Sequence, residues 1–403
     1  MRLGIDGSNL RRGGGITHLA EILSAVDDAR LETDGIRRVT VWAPDATLEQ
    51  LPQRRWLQLE RSRLLNGPLP TRVAWQRWVL GPLARTRCDV LFVPGGAFSG
   101  AFRPFVTMFR NVLPFARDAW RSYGFAWNTA RLALLNRVQT STFRRASGLI
   151  FLNEFARDFL LQHVEEVCGR TTVIPHGVNE VFRRPPRTPR STAQAFVADP
   201  LRVLYVSTID TYKHQAEVAR AAVQIAAAGV PLTLHLAGHA YSPSLARLRR
   251  TLAEIDPDSH VVRYLGPVPY TRLPDLYASA DAFVFASSRE NMPNILLEAM
   301  AAGLPIACAR KRPMTDILGD AGVYFDPESV PSIATALEGL LRDHDLRGSL
   351  AARASARSEA YSWRRCSAET FAFIASIASV APEHRRSAQH QVAASVRSDR
   401  RLP

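Results

Sequence analysis

The sequence has almost no lysine. Lys213 and Lys311 are its only two, among 51 basic residues. So one-sided a choice of arginine fits a GC-rich genome and is not in itself read as selection for phosphate. Cysteine is scarce as well: Cys88, Cys168, Cys308 and Cys366 lie far apart. No pair has metal-ligand spacing, and a chain of 403 residues needs no disulfide staples. The four are read as reduced core thiols in a cytoplasmic protein. No apolar run approaches the roughly 18 consecutive residues of a membrane helix. The opening MRLGIDGSNL has no apolar stretch of signal-peptide kind. Acids are outnumbered, 37 against 51, and the resulting net charge of +14 favours anionic partners such as nucleotides, anionic lipid or nucleic acid. With 46% hydrophobic and 22% charged residues, a disordered chain, a collagen-like repeat and a coiled coil are excluded.

What the chain does have is alternation. Short apolar runs, Val39–Trp42, Val90–Val93, Gly148–Leu152 and Thr172–Ile174, read as buried strands. The same grammar restarts near residue 200, with strands at Arg202–Val206, Leu232–Leu236, Val261–Leu265, Ala282–Phe285, Ile306–Cys308 and Val323–Phe325. Amphipathic helical stretches such as Glu217–Ala228 and Ser244–Glu254 separate them. Strand–helix alternation implies parallel sheets covered on both faces. The expected layout is a Rossmann-like domain over 1–182, a polar, proline-rich linker over 183–200 and a second Rossmann-like domain over 201–360. A helix over 361–380, with Trp363, Phe371, Ile374 and Ile377 at near-helical spacing, and a disordered tail over 381–403 complete it. Ligands in doubly wound sheets bind beyond the carboxyl ends of the strands.

The sharpest segment is ASSRENMPNILLEAMAAGLP, Ala286 to Pro305. A strand ends, a polar turn follows, Pro293 suits the first helical position and Gly303 the C-terminal cap. A helix starting there presents free amides and its dipole to an anion. Glu290 precedes the helix and Glu298 lies within it, on what is expected to be a polar face. Carboxylates grip vicinal diols through paired hydrogen bonds. For either glutamate alone, a solvated acid offsetting the dipole is the competing reading. Taken whole, Glu290, Asn291, Pro293, Asn294, Glu298, Ala299, Gly303 and Pro305 resemble the Glu-x7-Glu motif of the retaining glycosyltransferases of family four. Flanking stretches, LGPVPYTRLPDLYASADAFVFAS and ILGDAGVYFDPESVPSIATALEGLL, extend the resemblance, strongly over 200–345 and loosely over 1–180.

The resemblance implies a GT-B fold, two doubly wound α/β domains facing a cleft. It places Glu290 near the donor hexose, Glu298 on the nucleotide ribose, and the backbone of Asn291, Met292, Pro293 and Asn294 against sugar and phosphate. Lys213 follows the strand LRVLYVS and fits the family pattern Gly-Arg-x4-Lys, whose basic pair neutralises the donor diphosphate; Thr208 occupies the arginine position. Gly13-Gly14-Gly15 sits between a strand and a helix, where glycine lets the backbone approach a ligand. In the family Gly14 and Gly15 would face donor phosphate or acceptor; a simple tight turn is the competing reading. Arg110 and Asn111 stand where the family has His-Asp or His-Asn, against the alternative of a basic solvent-facing loop. His176, at the end of the first domain, is expected to be structural. Arg103–Ser147 carries eight arginines, one acid and several aromatics, Phe115, Trp120, Tyr123, Phe125 and Trp127 among them. That composition suits either an interfacial segment on anionic membrane or an arginine-rich helix packing its aromatics inward.

The expected activity is retaining transfer of a hexose, mannose among the candidates, from GDP- or UDP-hexose to a hydroxyl of a glycan or lipid-linked glycan. The expected setting is bacterial polysaccharide or lipopolysaccharide assembly, in the cytoplasm or peripheral to the inner face of the plasma membrane. The resemblance implies no cofactor and no metal, consistent with the lack of an Asp-x-Asp motif in the relevant position or a His/Cys cluster, and no specific nucleic acid is expected. The rival readings are a nucleotide-sugar-binding protein without turnover and a basic scaffold for membrane or nucleic acid.

Overall fold

The computed structural model describes residues 1–11, 13–116, 127–167, 169–186, 188–190 and 199–379. Contacts divide the chain into two units: Met1–Pro175 together with the chain from Trp363 onward, and His176–Ser362.

The first unit is built on seven parallel strands: β1 (Arg2–Asp6), β2 (Arg38–Trp42), β3 (Leu57–Glu60), β4 (Val90–Val93), β5 (Phe105–Phe109), β6 (Gly148–Phe151) and β7 (Arg170–Val173). Their order is β3-β2-β1-β4-β5-β6-β7. β4, β5 and β6 are buried at every position, as unbroken apolar runs in a sheet covered on both faces must be. β3, Leu57-Gln58-Leu59-Glu60, is the strand that escapes a reading by apolar runs. It is a half-exposed edge whose alternating residues make no run. Phe109 anchors the core, with ring centroids 5.6, 5.8 and 6.2 Å from Phe115, Phe143 and Phe151. Each such fully buried ring stabilises the fold by about 2 kcal/mol.

A helix over 363–379 belongs to this unit. Trp363 lies edge-on to His18 at 5.6 Å, and Ser367 donates to the Ile22 carbonyl. Phe373 and Ile377 close over Gly148, where a Cβ would come within 2.9 Å of the Phe373 ring. The tail expected over 381–403 lies outside the described residues.

The second unit repeats the plan with six parallel strands: β8 (Leu201–Val206), β9 (Leu232–Ala237), β10 (Val262–Gly266), β11 (Ala282–Phe285), β12 (Ile306–Ala309) and β13 (Val323–Phe325). The order is β10-β9-β8-β11-β12-β13. Each sheet therefore reverses its winding once, between β1 and β4 in the first and between β8 and β11 in the second. The crevice at such a reversal, beyond the carboxyl ends of the strands, is where ligands bind in doubly wound sheets.

The stretch expected to be a linker is fastened to the second unit. Its backbone at Pro185 and Pro186 packs against Gly303. Arg190 grips Asp281 with two nitrogens, at 3.1 and 2.8 Å, and reaches Asp199 at 2.6 Å. The buried Arg347 donates to the Arg190 carbonyl and to Leu341. Proline and arginine content reads as a linker in one dimension. Here the same residues cap carbonyls and a half-buried aspartate, and the division between units falls earlier, after Pro175.

Candidate active site

Two loops meet beside the reversal of the second sheet. The loop after β8 carries Thr208 and Lys213, and the loop after β11 carries Glu290 and Asn291. Asp210 caps a single 3₁₀ turn, Thr211–Lys213, through its side chain, and His214 follows in a left-handed conformation at φ 52°. That reversal turns the Lys213 side chain inward, where it is 5% exposed. Its Nζ pairs with Glu290 Oε1 and lies 5.1 and 5.3 Å from the ring centroids of Tyr212 and Phe285. The backbone is stitched on both sides: Ser288 N–H donates to the Tyr212 carbonyl at 2.9 Å, Tyr205 Oη donates to the Lys213 carbonyl at 2.7 Å, and His214 Nε2 lies 3.0 Å from Ser288 Oγ. Lysine at 213 is thus a fixed, desolvated cation beside a carboxylate. Thr208, expected as part of the phosphate clamp, is exposed; its carbonyl accepts from Gln215 at 2.9 Å.

The helix after this loop is Asn294–Ala301, with Pro293 at the N-cap, one position before the first-turn site expected for it. No side chain caps the helix and no acid stands in its first turn. His176 Nδ1 is 2.8 Å from Asn294 Oδ1 and holds that side chain at the helix start, a positioning role. The C-terminus closes as a Schellman motif: Leu304 N–H reaches the Ala299 carbonyl and Gly303 N–H the Met300 carbonyl. Gly303 takes φ 67°, which a residue with a Cβ adopts only with strain.

The expected polar face is absent. Leu296 through Ala301 are all buried. Glu298 is 7% exposed, and its Oε2 accepts from Tyr277 Oη at 3.0 Å. Burial raises its carboxyl to about 7, against the smaller opposing effect of the Tyr277 hydrogen bond. A solvated mid-helix acid is therefore overturned: Glu298 is a buried carboxylate held by one hydroxyl. Tyr277 lies among Phe182, 5.6 Å away, and Phe283, 5.7 Å away. Sequence reading missed Tyr277, because a tyrosine 21 residues upstream of Glu298 in an apolar helix reads as core.

The first unit shows a second constellation at its own reversal. Gly13, at φ 71°, starts the helix Gly14–Ser24, which no side chain caps. Arg110, just beyond β5, turns inward and donates from Nη2 to the Gly14 carbonyl at 2.7 Å. Its Nη1 is buried without a hydrogen-bond partner. Desolvation lowers its guanidinium to about 10, so the basic solvent-facing loop is excluded. A Cβ on Gly15 would lie 3.0 Å from Leu10 Cδ2 and 3.4 Å from Arg110 Nη1, so Gly15 stands beside the Arg110 guanidinium and packs tightly on Leu10. Asn111 is occupied locally, its Oδ1 accepting from Leu113 N–H at 3.0 Å. Beneath the loop is a network that sequence reading did not find. Asp6, at the end of β1, accepts from Ser8 N–H at 3.0 Å and Gln76 Nε2 at 2.6 Å, and Ser99 Oγ donates to Gln76 Oε1 at 2.8 Å. Burial raises the Asp6 carboxyl. Of the basic aromatic stretch, Phe115 is core and Arg110 is inward. Trp120, Tyr123 and Phe125 lie outside the described residues, as does the side chain of Trp127.

The structure thus brings Lys213 to Glu290 in one unit and Arg110 to Gly14 and Gly15 in the other. Glu298, Asn291, Met292, Pro293 and Asn294 follow Glu290 through the same loop and helix.

Comparison with known proteins fits this geometry. Residues 188–357 match the family described as glycosyl transferases group 1. O-antigen chain mannosyltransferase B of Escherichia coli is 38% identical over 109 residues, 27% of this chain and 29% of the relative. The D-inositol 3-phosphate glycosyltransferase of Thermobispora bispora is 30% identical over 203 residues, 48% of this chain and 47% of that one. The chain thus spans less than a third of the first relative and about half of the second. The crystal structure of Anabaena HepE in complex with UDP-glucose superposes with a TM-score of 0.66 at 20% identity, covering 93% of this chain and 99% of that one. The fold is GT-B, two parallel-sheet Rossmann-like units. The segment that matches the group 1 glycosyltransferases holds the Lys213–Glu290 pair and the helix of Glu298.

Proposed function

We propose that this protein is a retaining glycosyltransferase that moves a hexose from a nucleotide sugar to an acceptor hydroxyl. The observation that carries the reading is the convergence of Lys213, Glu290 and the uncapped helix Asn294–Ala301 at the reversal of the second sheet. A cation and helix amides together stabilise a developing diphosphate anion. In this reading the C1–O bond to the diphosphate breaks and the acceptor oxygen bonds C1 on the same face. The acceptor proton passes to the departing phosphate oxygen, so no protein base is required. Lys213 and the backbone N–H groups of Asn291, Met292 and Asn294 stabilise the diphosphate, with Thr208 at the edge of that site. Glu298 accepts hydrogen bonds from the ribose hydroxyls, and Glu290 orients Lys213 and meets the hexose. Arg110, Asn111, Gly14 and Gly15 are the ligand-contact candidates of the first unit. No metal takes part.

Within this reading the donor is a GDP- or UDP-hexose, and the acceptor a glycan or lipid-linked glycan of bacterial surface polysaccharide. The work is done on the cytoplasmic side, which suits the free thiols of Cys88, Cys308 and Cys366. The name of the Escherichia coli relative, an O-antigen chain mannosyltransferase, supports the setting. Incubation with a panel of nucleotide sugars and acceptors, with the anomeric configuration of product read by NMR, tests the reading. An α-linked product from an α-linked donor is expected. Inverted product, or binding of nucleotide sugars without transfer to any acceptor, would overturn it.

A further inference from the structure

The first unit exposes apolar side chains where a water-facing surface has no use for them. Between Glu60 and Asp89 the chain carries six arginines and no acid. The same stretch holds Leu64, Leu69, Val73 and Trp78, exposed at 45, 52, 39 and 67%. Trp78 is the most exposed large apolar side chain among the described residues. Scattered exposed leucines need no explanation, but a contiguous group does.

The backbone makes these residues contiguous. Helix Leu69–Ala74 runs directly into a π-helical stretch, Trp75–Leu80, and on into helix Gly81–Arg87. Hydrogen bonding from i to i+5 puts more residues into each turn than the 3.6 of an α-helix, so the faces shift in phase across it. With that shift Trp75, Gln76, Leu80 and Ala84 all fall on the buried side. Leu69, Val73, Arg77, Trp78, Pro82 and Arg85 fall on the exposed side. A purely α-helical reading would put Val73 and Trp78 on different faces, which is why the sequence periodicity hides the surface. The preceding turn is tied to it: Thr71 Oγ1 donates to the Leu64 carbonyl at 3.3 Å. Trp75 and Leu80 anchor the inner side in a cluster with Trp42, Leu91 and Phe105, so the outer side is presented by a rigid element.

Charge decides what this face fits. Arg61 is engaged by Asp45 and Glu49, and Arg87 by Glu60. Among the described residues no carboxylate pairs with Arg63, Arg77 or Arg85, and all three are exposed. An apolar ridge with an indole, flanked by unpaired arginines and free of acid, matches the boundary between lipid headgroups and acyl chains. Another protein would have to meet three unpaired guanidiniums with its own acids, whereas anionic headgroups present that charge everywhere. We propose that the face of Leu69–Arg87, together with Leu64, docks the protein on an anionic lipid surface. The proposal does not depend on the transferase reading.

Sedimentation of the full chain with phosphatidylcholine vesicles, with and without phosphatidylglycerol, tests it. Binding is expected to be about tenfold stronger or more with the anionic lipid. The double variant Leu69→Ser/Trp78→Ser should lose about tenfold of that binding, with an unchanged melting temperature, because both side chains are exposed. Arg77→Glu/Arg85→Glu should lose at least as much. Arg249→Glu/Arg250→Glu, an equal charge change on an exposed helix of the second unit, should lose little. Equal losses from both charge reversals would mean diffuse attraction by net charge and overturn the proposal. So would undiminished vesicle binding by the apolar variant, or a conversion of dimer to monomer by that variant, which would make the face a contact between copies. DNA binding that survives in place of vesicle binding would overturn it equally.

Discussion

Two sheets in this chain share a strand order and a single reversal, yet what stands at the two reversals differs in kind. In the second unit the side chains are buried charges set against each other or against an aromatic hydroxyl: Lys213 with Glu290, and Glu298 with Tyr277. In the first, the charged side chain beside the glycine turn is Arg110. Arg110 spends one nitrogen on a backbone carbonyl, and the acid of the region, Asp6, is satisfied beneath the loop by Ser8 and Gln76. The first arrangement shapes a backbone; the second stores charge where a ligand can redistribute it. A buried ion pair contributes little to stability in itself, but breaking it by removing one partner leaves an uncompensated charge.

The largest effect expected from this contrast comes from Lys213. Lys213→Ala should destabilise the fold by about 3–5 kcal/mol by orphaning Glu290, and cut turnover by about ten- to a thousandfold. The double variant Lys213→Met/Glu290→Leu should regain much of the stability and none of the turnover. Denaturant unfolding and steady-state rates on the same samples separate the two. Recovery of both would make the pair purely structural.

Glu298 gives a pH signature. Its folded carboxyl sits near 7, above its unfolded value of 4.5. Between those values the folded state binds the extra proton, so the contribution of Glu298 to stability is full below about pH 4.5 and is lost as pH rises through 7. At pH 8 the ionised, buried Glu298 costs about 3 kcal/mol. Glu298→Gln should remove that slope and leave the variant more stable than the parent at pH 8. Nucleotide affinity should run the opposite way in the parent and rise across pH 6–8, because the ionised form accepts the stronger hydrogen bonds. Thermal melts across pH, with and without nucleotide, read both trends; parallel slopes in parent and variant would remove Glu298 from either role.

In the first unit, Gln76→Leu should cost about 1–3 kcal/mol by leaving Asp6 and Ser99 short of partners, with nucleotide affinity unchanged. A matching loss of nucleotide affinity would erase the distinction between the two crevices. The smallest effect is expected from Tyr277→Phe, about 1 kcal/mol. Its sharper readout is the pH midpoint of nucleotide binding, which should move upward as Glu298 loses its one hydroxyl donor.

Legibility in the sequence followed the same divide. Glu290 through Gly303 is one contiguous string in which turn, helix and cap residues are neighbours, and Lys213 stands out as one of two lysines. Unbroken apolar runs made β4, β6 and β8 readable, whereas the alternating edge strand β3 was not. The Asp6–Gln76 and Arg110–Gly14 partnerships span 70 and 96 residues. No local pattern announces them. The competing reading of Glu298 as a solvated acid arises because a glutamate four residues past a helix start is commonly surface; only the packing of Leu296 through Ala301 shows it buried. The π-helical stretch hides the exposed ridge in the same way, since a period of 3.6 puts Val73 and Trp78 on different faces.

The decisive measurement is calorimetric titration of the full chain with UDP-, GDP- and dTDP-hexoses, repeated with Glu298→Ala. A saturable heat with at least one of these donors is expected, weakened in the variant by about 1–3 kcal/mol, or roughly five- to 150-fold in affinity. The absence of binding by the folded parent, or equal affinity in parent and variant, would contradict a nucleotide-sugar site at the reversal of the second sheet.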